Sequence, residues 1–436
     1  MSAITCKFGG TSLADAACIR EARAIIDANP ERRFIVPSAP GKRTPDDRKI
    51  TDLLYLWHNI ALQGLDASEP RNIIADRFVE LARELGVSFD IQPLLDEIAA
   101  CVCDSESPDY MASRGEYLNG RLMAELLEAT FVDPAECIKF DDTGNLDPAT
   151  YDLLGARLQG PGRFVVPGFY GSTPNGAIKT FSRGGSDITG SIVARASNSK
   201  VYENWTDVSG FLMADPRIVP NAKHIAEVTY QELRELSYMG ATVLHDEAIF
   251  PVRGPGIPIN ILNTKAPGDA GTRIVASRES KFPVCGIAGR AGFSMVNVEK
   301  VGLNKERGFG LQILSILDHE NVGWEHMPTG IDTISLIIRD DELKDKGPAI
   351  VKEIERRCSP DRVSLNKGLA MIATVGVGMN HHIGIAARLC SALANAQVNL
   401  RVIDQGSSEM NIIVGVDEPD LNKAVCAIYD AFDNWG

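Results

Sequence analysis

The sequence predicts an α/β domain on a largely parallel sheet, followed by two copies of a smaller α+β domain. Over the first 280 or so residues, short apolar runs alternate with longer stretches of helical periodicity, the pattern of a sheet covered on both faces. Glycine-rich turns sit where strands lead into helices. Beyond the loop APGDAGT (266–272) the pattern changes and repeats: VGLNKERG begins at residue 301 and VGMNHHIG at 377, an offset of 76 residues.

Ile4, Cys6 and Phe8 alternate with Thr5 and Lys7, as in a short strand. KFGGTS (7–12) is then a turn, and LADAACIREARAIIDANP a helix stopped at Pro30. FIVPSA (34–39), RFVVPGFYG (163–171) and SKVYENWTDV (199–208) are buried strands, while ITDLLYLWHNIALQG and NGRLMAELLEAT are helices. Within the repeat Ser315 matches Ser391, Leu317 matches Leu393, Val322 matches Val398 and Gly330 matches Gly406. Each copy reads strand, helix, strand, strand, helix, as in AMIATVG, IGIAARLCSALANAQ, VNLRVID, EMNIIVGV and LNKAVCAIYDAF. The first copy continues into DRVSLN, for which the second has no counterpart. FPVCGIAG (282–289) is therefore expected to fill the vacant edge of the second copy, with the first inserted inside it. The domains expected are 1–283 and 284–436, with repeats at about 290–366 and 367–436.

Composition narrows the function. A chain of 436 residues with 44% hydrophobic content holds two or three packed cores. A net charge of −14 without a long basic run argues against nucleic acid or an anionic membrane surface as partner. No apolar run reaches membrane-spanning length and no signal peptide is visible. Nine scattered cysteines suit reduced thiols, so a cytoplasmic protein is expected, and the Cys101/Cys103 pair lacks the second ligand pair of a zinc site.

Five segments carry candidate chemistry. KFGGTS offers a lysine, backbone N–H groups and a helix start to an anion, although a tight turn with a surface lysine has the same letters. SRGGSD repeats that logic with Arg183, Ser186 and Asp187, so two such turns suit a polyphosphate facing a second anion. VPSAPGKRTPDDRKITDLL contributes Ser38 and Thr51, and MASRGEYLNGRL presents Glu116 at a helix beginning. NWTDVSGFLMADPR supplies Thr206, Asp207 and Arg217 after a strand. Taken singly, Glu116 complements a helix dipole, Asp187 is a cap and Asp215-Pro216 is a turn. Their gathering in one α/β domain favours a shared active site.

KFGGTS, SRGGSDITGS, TDVSGFLMADPR and YMGATVLHDEA together resemble the aspartate kinases of the amino-acid kinase family, and VGVGMNHHIGIAARLCSALANAQVNLRVIDQGSSEMNIIVGV resembles their second ACT domain. The resemblance runs the length of the chain in the family's order. It implies an amino-acid-kinase sandwich with tandem ferredoxin-like ACT domains, and transfer of the ATP γ-phosphoryl group to the β-carboxylate of L-aspartate with Mg²⁺. That carboxylate is ionised at neutral pH, so no general base is needed. By the same resemblance Lys7, Gly9 and Gly10 handle the migrating phosphoryl group. Ser38, Thr51, Glu116, Phe169, Arg183, Ser186 and Asp187 line the aspartate pocket, with Arg183 on the α-carboxylate and Glu116, together with Asp187, on the ammonium. Lys7, Thr206, Asp207 and Arg217 contact ATP. The sequence departs from the family in having Thr242 where a nucleotide-side lysine is frequent and Leu212 where a tyrosine is, and Thr44 competes with Thr51. A glutamate-type kinase and a non-catalytic amino-acid sensor are the alternatives. The ACT pair implies a homodimer, or a dimer of dimers, inhibited by lysine or threonine bound around Asn304, Gly308, Phe309, Glu325 and Thr329.

Overall fold

The computed structural model describes residues 3–102, 108–182, 184–240, 244–280, 282–380 and 382–433. Arg183, Thr242 and Cys103, each singled out above, lie outside the described residues. Contacts divide the chain into a first unit of Met1–Phe211, Ala226–Tyr230 and Val243–Arg278 and a second of Leu212–Ile225, Gln231–Thr242 and Glu279–Gly436.

The first unit is built on eight strands: β1 (Ile4–Phe8), β2 (Arg32–Pro37), β3 (Thr130–Phe131), β4 (Phe164–Val165), β5 (Val201–Thr206), β6 (Glu227–Thr229), β7 (Ile259–Asn263) and β8 (Thr272–Val275). Their order is β6-β8-β7-β5-β1-β2-β4-β3, and only the β7/β8 pair is antiparallel. Alternation divides β1 as the sequence requires. Cys6 and Phe8 join Ile35, Val165 and Trp205 in one core with helices α1 (Ala16–Asp27), α2 (Ile50–Leu62) and α3 (Asp109–Leu127). Thr5 and Lys7 face the other way, towards α4 (Gly185–Ala196). The chain leaves β1 for β2 on one side, while β5 lies on the other. The carboxyl ends of β1, β2 and β5 thus flank a switch point, the place where open parallel sheets bind ligands.

The second unit carries one antiparallel sheet of β9 (Gly286–Glu299), β10 (Thr333–Arg339), β11 (Arg362–Val375), β12 (Val402–Asp404) and β13 (Asn411–Asp417), in the order β10-β9-β11-β13-β12. β9 and β11 are each 14 residues long and serve both repeats. Gly286–Ala291 pairs with Ala370–Val375, and Met295–Glu299 pairs with Arg362–Asn366. Two separate cores follow: one around Val296, Ile313, Leu336 and Ile354, the other around Ile287, Ile372, Leu389 and Ile428. Helices α5 (Phe309–His319) and α7 (Ile385–Asn395) occupy equivalent places behind the left-handed Gly308 and Gly384, with α6 (Gly347–Cys358) and α8 (Leu421–Phe432) completing the repeats. Ala214 packs in the second repeat's core and Glu232 accepts the Val377 N–H at 2.8 Å, which is why 212–225 and 231–242 belong to this unit.

Candidate active site

The opening turn differs from a direct strand-to-helix junction. After β1 the chain makes a 3-10 turn over Gly10–Leu13, and α1 begins only at Ala16, capped by the Asp15 carboxylate accepting the Cys18 N–H at 2.8 Å. The Gly9 N–H donates to the Trp205 carbonyl at 3.1 Å. The loop after β2 crosses this turn closely: the Gly41 N–H donates to the Gly10 carbonyl at 2.8 Å, and a Cβ on Gly41 would lie 2.5 Å from that oxygen. Glycine at 41 is what allows the approach. Buried Arg77 clamps both loops, with Nη2 donating to the Ala14 and Gly41 carbonyls at 2.8 and 2.6 Å and Nη1 to Asp47 at 2.7 Å.

Lys7 and Asn204 are register partners on β1 and β5, so their side chains stand together on the α4 face. Both reach Asp187 in the first turn of α4. Lys7 Nζ is 2.5 Å from Oδ1, and Asn204 Nδ2 donates to the same oxygen at 2.9 Å. The buried Tyr202 hydroxyl donates to the Asp187 carbonyl at 3.1 Å, tying the helix start to β5 through a second group. Asp187 is therefore more than a cap. The turn before it requires Gly184 at φ 75°, where a Cβ would lie 2.4 Å from His245 Cβ. Ser186 lies under Gly168, and Phe169 holds the uncommon φ of 83° with its N–H on Thr189 Oγ1 at 3.0 Å.

Glu116 corrects the sequence reading. It stands well inside a helix that begins at Asp109, so its place owes nothing to the helix dipole. It is buried, and burial pushes its carboxyl up to about 7, opposed by N–H donors from Ala39 and its own backbone. Its Oε2 is buried without a hydrogen-bond partner. Thr51 opens α2, whose Ile50 and Leu54 pack where Gly115 has no side chain, beside Glu116. Thr44 is exposed in the preceding loop.

At the end of β5, the Thr206 carbonyl accepts both the N–H and the hydroxyl of Thr264, at 2.9 and 3.0 Å, and Thr264 Oγ1 also meets Ser12 Oγ at 3.0 Å. Thr264 thus joins the opening turn to the Thr206–Asp207 strand end. Arg217 belongs to the second unit, where it makes an exposed ion pair with Asp215 at 2.6 Å. Asn204 and Thr264 were missed by motif reading; only the alternation that puts Asn204 on the face of Lys7 signals one of them.

In the first repeat, Glu325 faces Arg339 at 3.2 Å, and burial raises its carboxyl despite that cation. Its Oε2 and the neighbouring His326 Nε2 are buried and unpaired, while His326 Nδ1 lies 2.7 Å from Asp404 Oδ2. The Asn304 N–H donates to the Ile331 carbonyl at 3.2 Å, bringing the 303–305 turn beside Thr329. Phe309 is buried under the Lys300 ammonium.

A parallel sheet whose switch point carries a lysine–carboxylate pair at a glycine-gated helix start suits phosphoryl transfer to a small anion. The chain belongs to the amino acid kinase family, whose model matches residues 3–263, and an ACT domain model matches 372–432. Its full-length relatives are aspartokinases. It is 38% identical to aspartokinase 3 of Bacillus subtilis (strain 168) over 98% of both chains. The crystal structure of Clostridium acetobutylicum aspartate kinase superposes with a TM-score of 0.93 at 48% identity, covering 99% of this chain and 100% of that one. Aspartokinase III of E. coli, solved with lysine and aspartate in its T state, superposes with a TM-score of 0.77 at 25% identity and covers 99% of each chain.

Proposed function

We propose that the chain transfers the γ-phosphoryl group of ATP to the β-carboxylate of L-aspartate, giving 4-phospho-L-aspartate and ADP, the first step towards lysine, threonine and methionine in the cytoplasm. The observations that carry this reading are an ammonium held at Lys7 by the carboxyl end of β1, and a buried carboxylate at Glu116 with one oxygen unpartnered near Ala39, just beyond the end of β2. The substrate's own carboxylate is the nucleophile, so the protein's task is to bring one anion against another. Lys7, held by Asp187 beside Gly9 and Gly10, meets the charge that develops on the migrating phosphoryl group. Glu116 takes the aspartate ammonium, Arg183 its α-carboxylate, and Ser38, Thr51, Phe169 and Ser186 shape the pocket. Thr206 and Asp207 serve ATP. Bound Mg²⁺ would supply charge neutralisation on the polyphosphate. Asp207 would offer it a carboxylate.

Control is read from the second unit. Lysine or threonine binds the first repeat through Asn304, Gly308, Phe309, Glu325 and Thr329, its ammonium answering the unpaired Glu325 Oε2, in a homodimer joined through the ACT domains. An ADP-release assay over a panel of amino acids, with lysine and threonine titrated singly and together, tests both halves. Aspartate-dependent turnover with inhibition that Glu325→Ala relieves at least about tenfold, the range of one charge-assisted hydrogen bond, is the expected result. Turnover with glutamate instead, or none with any amino acid, overturns the catalytic reading. Indifference to every aspartate-derived amino acid overturns the regulatory one.

A further inference from the structure

Two buried oxygens without partners lie on one face of α3, three residues apart: Glu116 Oε2 and Asn119 Oδ1. Residues at that spacing are neighbours on a helix surface, roughly 5–6 Å apart at Cβ. Asn119 is fully buried, and its Nδ2 donates to the Ser38 carbonyl at 2.6 Å. A carbonyl only accepts, so the amide nitrogen must face Ser38 and the oxygen must point elsewhere. Glu116, one turn earlier on the same face, lies near the next residue, Ala39, whose backbone N–H opposes the rise of its carboxyl. One turn of α3 thus faces two consecutive residues after β2, and each side chain leaves one buried oxygen bare.

A buried acceptor without a donor destabilises a fold by roughly 1–3 kcal/mol, so two side by side call for an explanation. With Glu116 ionised both are acceptors, and neither can serve the other. What satisfies them is a ligand group with several donors and no acceptor, and a primary ammonium has three N–H groups and nothing else. We propose that Asn119 Oδ1 is the second acceptor for the substrate's α-ammonium, beside Glu116 Oε2, and so helps the pocket tell an amino acid from the same dicarboxylic acid without its amine. This rests on the reading of Glu116 as the ammonium site. The neutral amide adds a directed bond without a second negative charge, which would push the already raised Glu116 carboxyl further towards protonation.

The rival account is that Asn119 only braces Ser38. Succinate, which is aspartate lacking the amine, separates the two when its competitive inhibition constant is measured beside KM for L-aspartate in the full-length enzyme. Asn119→Ala is expected to raise KM for aspartate about 10- to 100-fold, the range of one hydrogen bond to a charged group, with kcat and the succinate constant within about threefold of wild type. An unchanged KM, or a succinate constant that weakens in step with it, overturns the proposal in favour of bracing. Glu116→Gln is run in parallel. If it weakens aspartate selectively while Asn119→Ala does nothing, Asn119 is excluded and the ammonium pocket stands; if it too is silent, the pocket reading itself fails. Should Asn119→Ala not fold, Asn119→Ser is read by the same criteria. Should succinate not inhibit wild type, the rise in Tm produced by aspartate is compared with that produced by ADP. Loss of the aspartate response alone supports the proposal, and retention of both or loss of both overturns it.

Discussion

At the lysine end of the site, Lys7 and Asn204 both close on Asp187 Oδ1, and Tyr202 fastens the backbone behind it. At the glutamate end, Asn119 commits its amide nitrogen to the Ser38 carbonyl, and Glu116 and Asn119 each leave an oxygen bare. The first arrangement is complete without substrate. The second, on the proposed reading, is completed by the substrate's ammonium. A group already fixed in place acts on the charge that appears during reaction, whereas an unsatisfied group acts on a charge the substrate brings with it. The two ends should therefore fail differently when mutated, the first in kcat and the second in KM.

The largest effect belongs to Lys7. Lys7→Ala should lower kcat by about 100-fold or more, close to 2.7 kcal/mol of barrier, while KM for aspartate moves little. Steady-state kinetics with both substrates checks this, and a variant keeping more than about a tenth of wild-type kcat would remove Lys7 from the transferring phosphoryl group.

Glu116 should show the opposite pattern and a pH signature. Its carboxyl is raised to about 7, so the ionised form that accepts an ammonium is lost as pH falls through that value. The kcat/KM for aspartate should fall about tenfold per pH unit below 7, because that ratio reports the free enzyme. Glu116→Gln should lower kcat/KM at pH 8 by about 10- to 100-fold, mostly through KM, and flatten the acid limb. A wild-type profile without that limb would mean that Glu116 is ionised throughout.

A smaller change tests how the lysine end is held. Asn204→Asp keeps the shape but replaces the donor to Asp187 with a competing carboxylate, leaving Lys7 between two acceptors. The expected loss is about tenfold in kcat at pH 8 with KM for aspartate unchanged, recovering in part as pH falls and one acid of the pair takes up a proton. Equal loss at all pH values would reduce Asn204 to packing.

These contrasts also mark how far the sequence could be read. Alternation and glycine turns located β1, β2 and β5 and the two glycine turns, because both are local properties. The pairing of Lys7 with Asn204 is a register between strands nearly two hundred positions apart, and no local period encodes it. The start of α3 was misplaced because the run before Glu116 mixes small and charged residues. Tertiary burial decides the matter: Met111, Ala112, Ser113 and Arg114 are all buried, with the Arg114 guanidinium among the Tyr110, Tyr117 and Tyr170 rings. The unpaired state of Glu116 and Asn119 is likewise a property of the folded surroundings alone. In the second unit the 76-residue offset revealed the repeats, yet not that two continuous 14-residue strands serve both, since a strand's length depends on what pairs with it.

The smallest expected effect is thermodynamic, and it asks whether the bare oxygen is a liability without substrate. The Glu116 carboxyl titrates near 7 in the fold against an ordinary value of 4.5, so the native state binds the extra proton between those values. Stability from this group is therefore present below about pH 4.5 and is lost as pH rises towards 7, the reverse of an ion-paired carboxylate. At pH 8 the buried, ionised Glu116 should cost the fold up to about 3 kcal/mol, using 1.36 kcal/mol per pKa unit. Glu116→Gln removes that charge and should raise Tm by a few degrees at pH 8, with the gap to wild type closing as pH approaches 5. Aspartate added to the wild type should close the same gap at pH 8, because an ammonium on Oε2 favours the ionised form that burial disfavours. Thermal scans at the two pH values, with and without aspartate, check both statements. A glutamine variant less stable than wild type at pH 8 would show that the carboxylate is already satisfied without ligand, and the contrast between the two ends of the site would be lost.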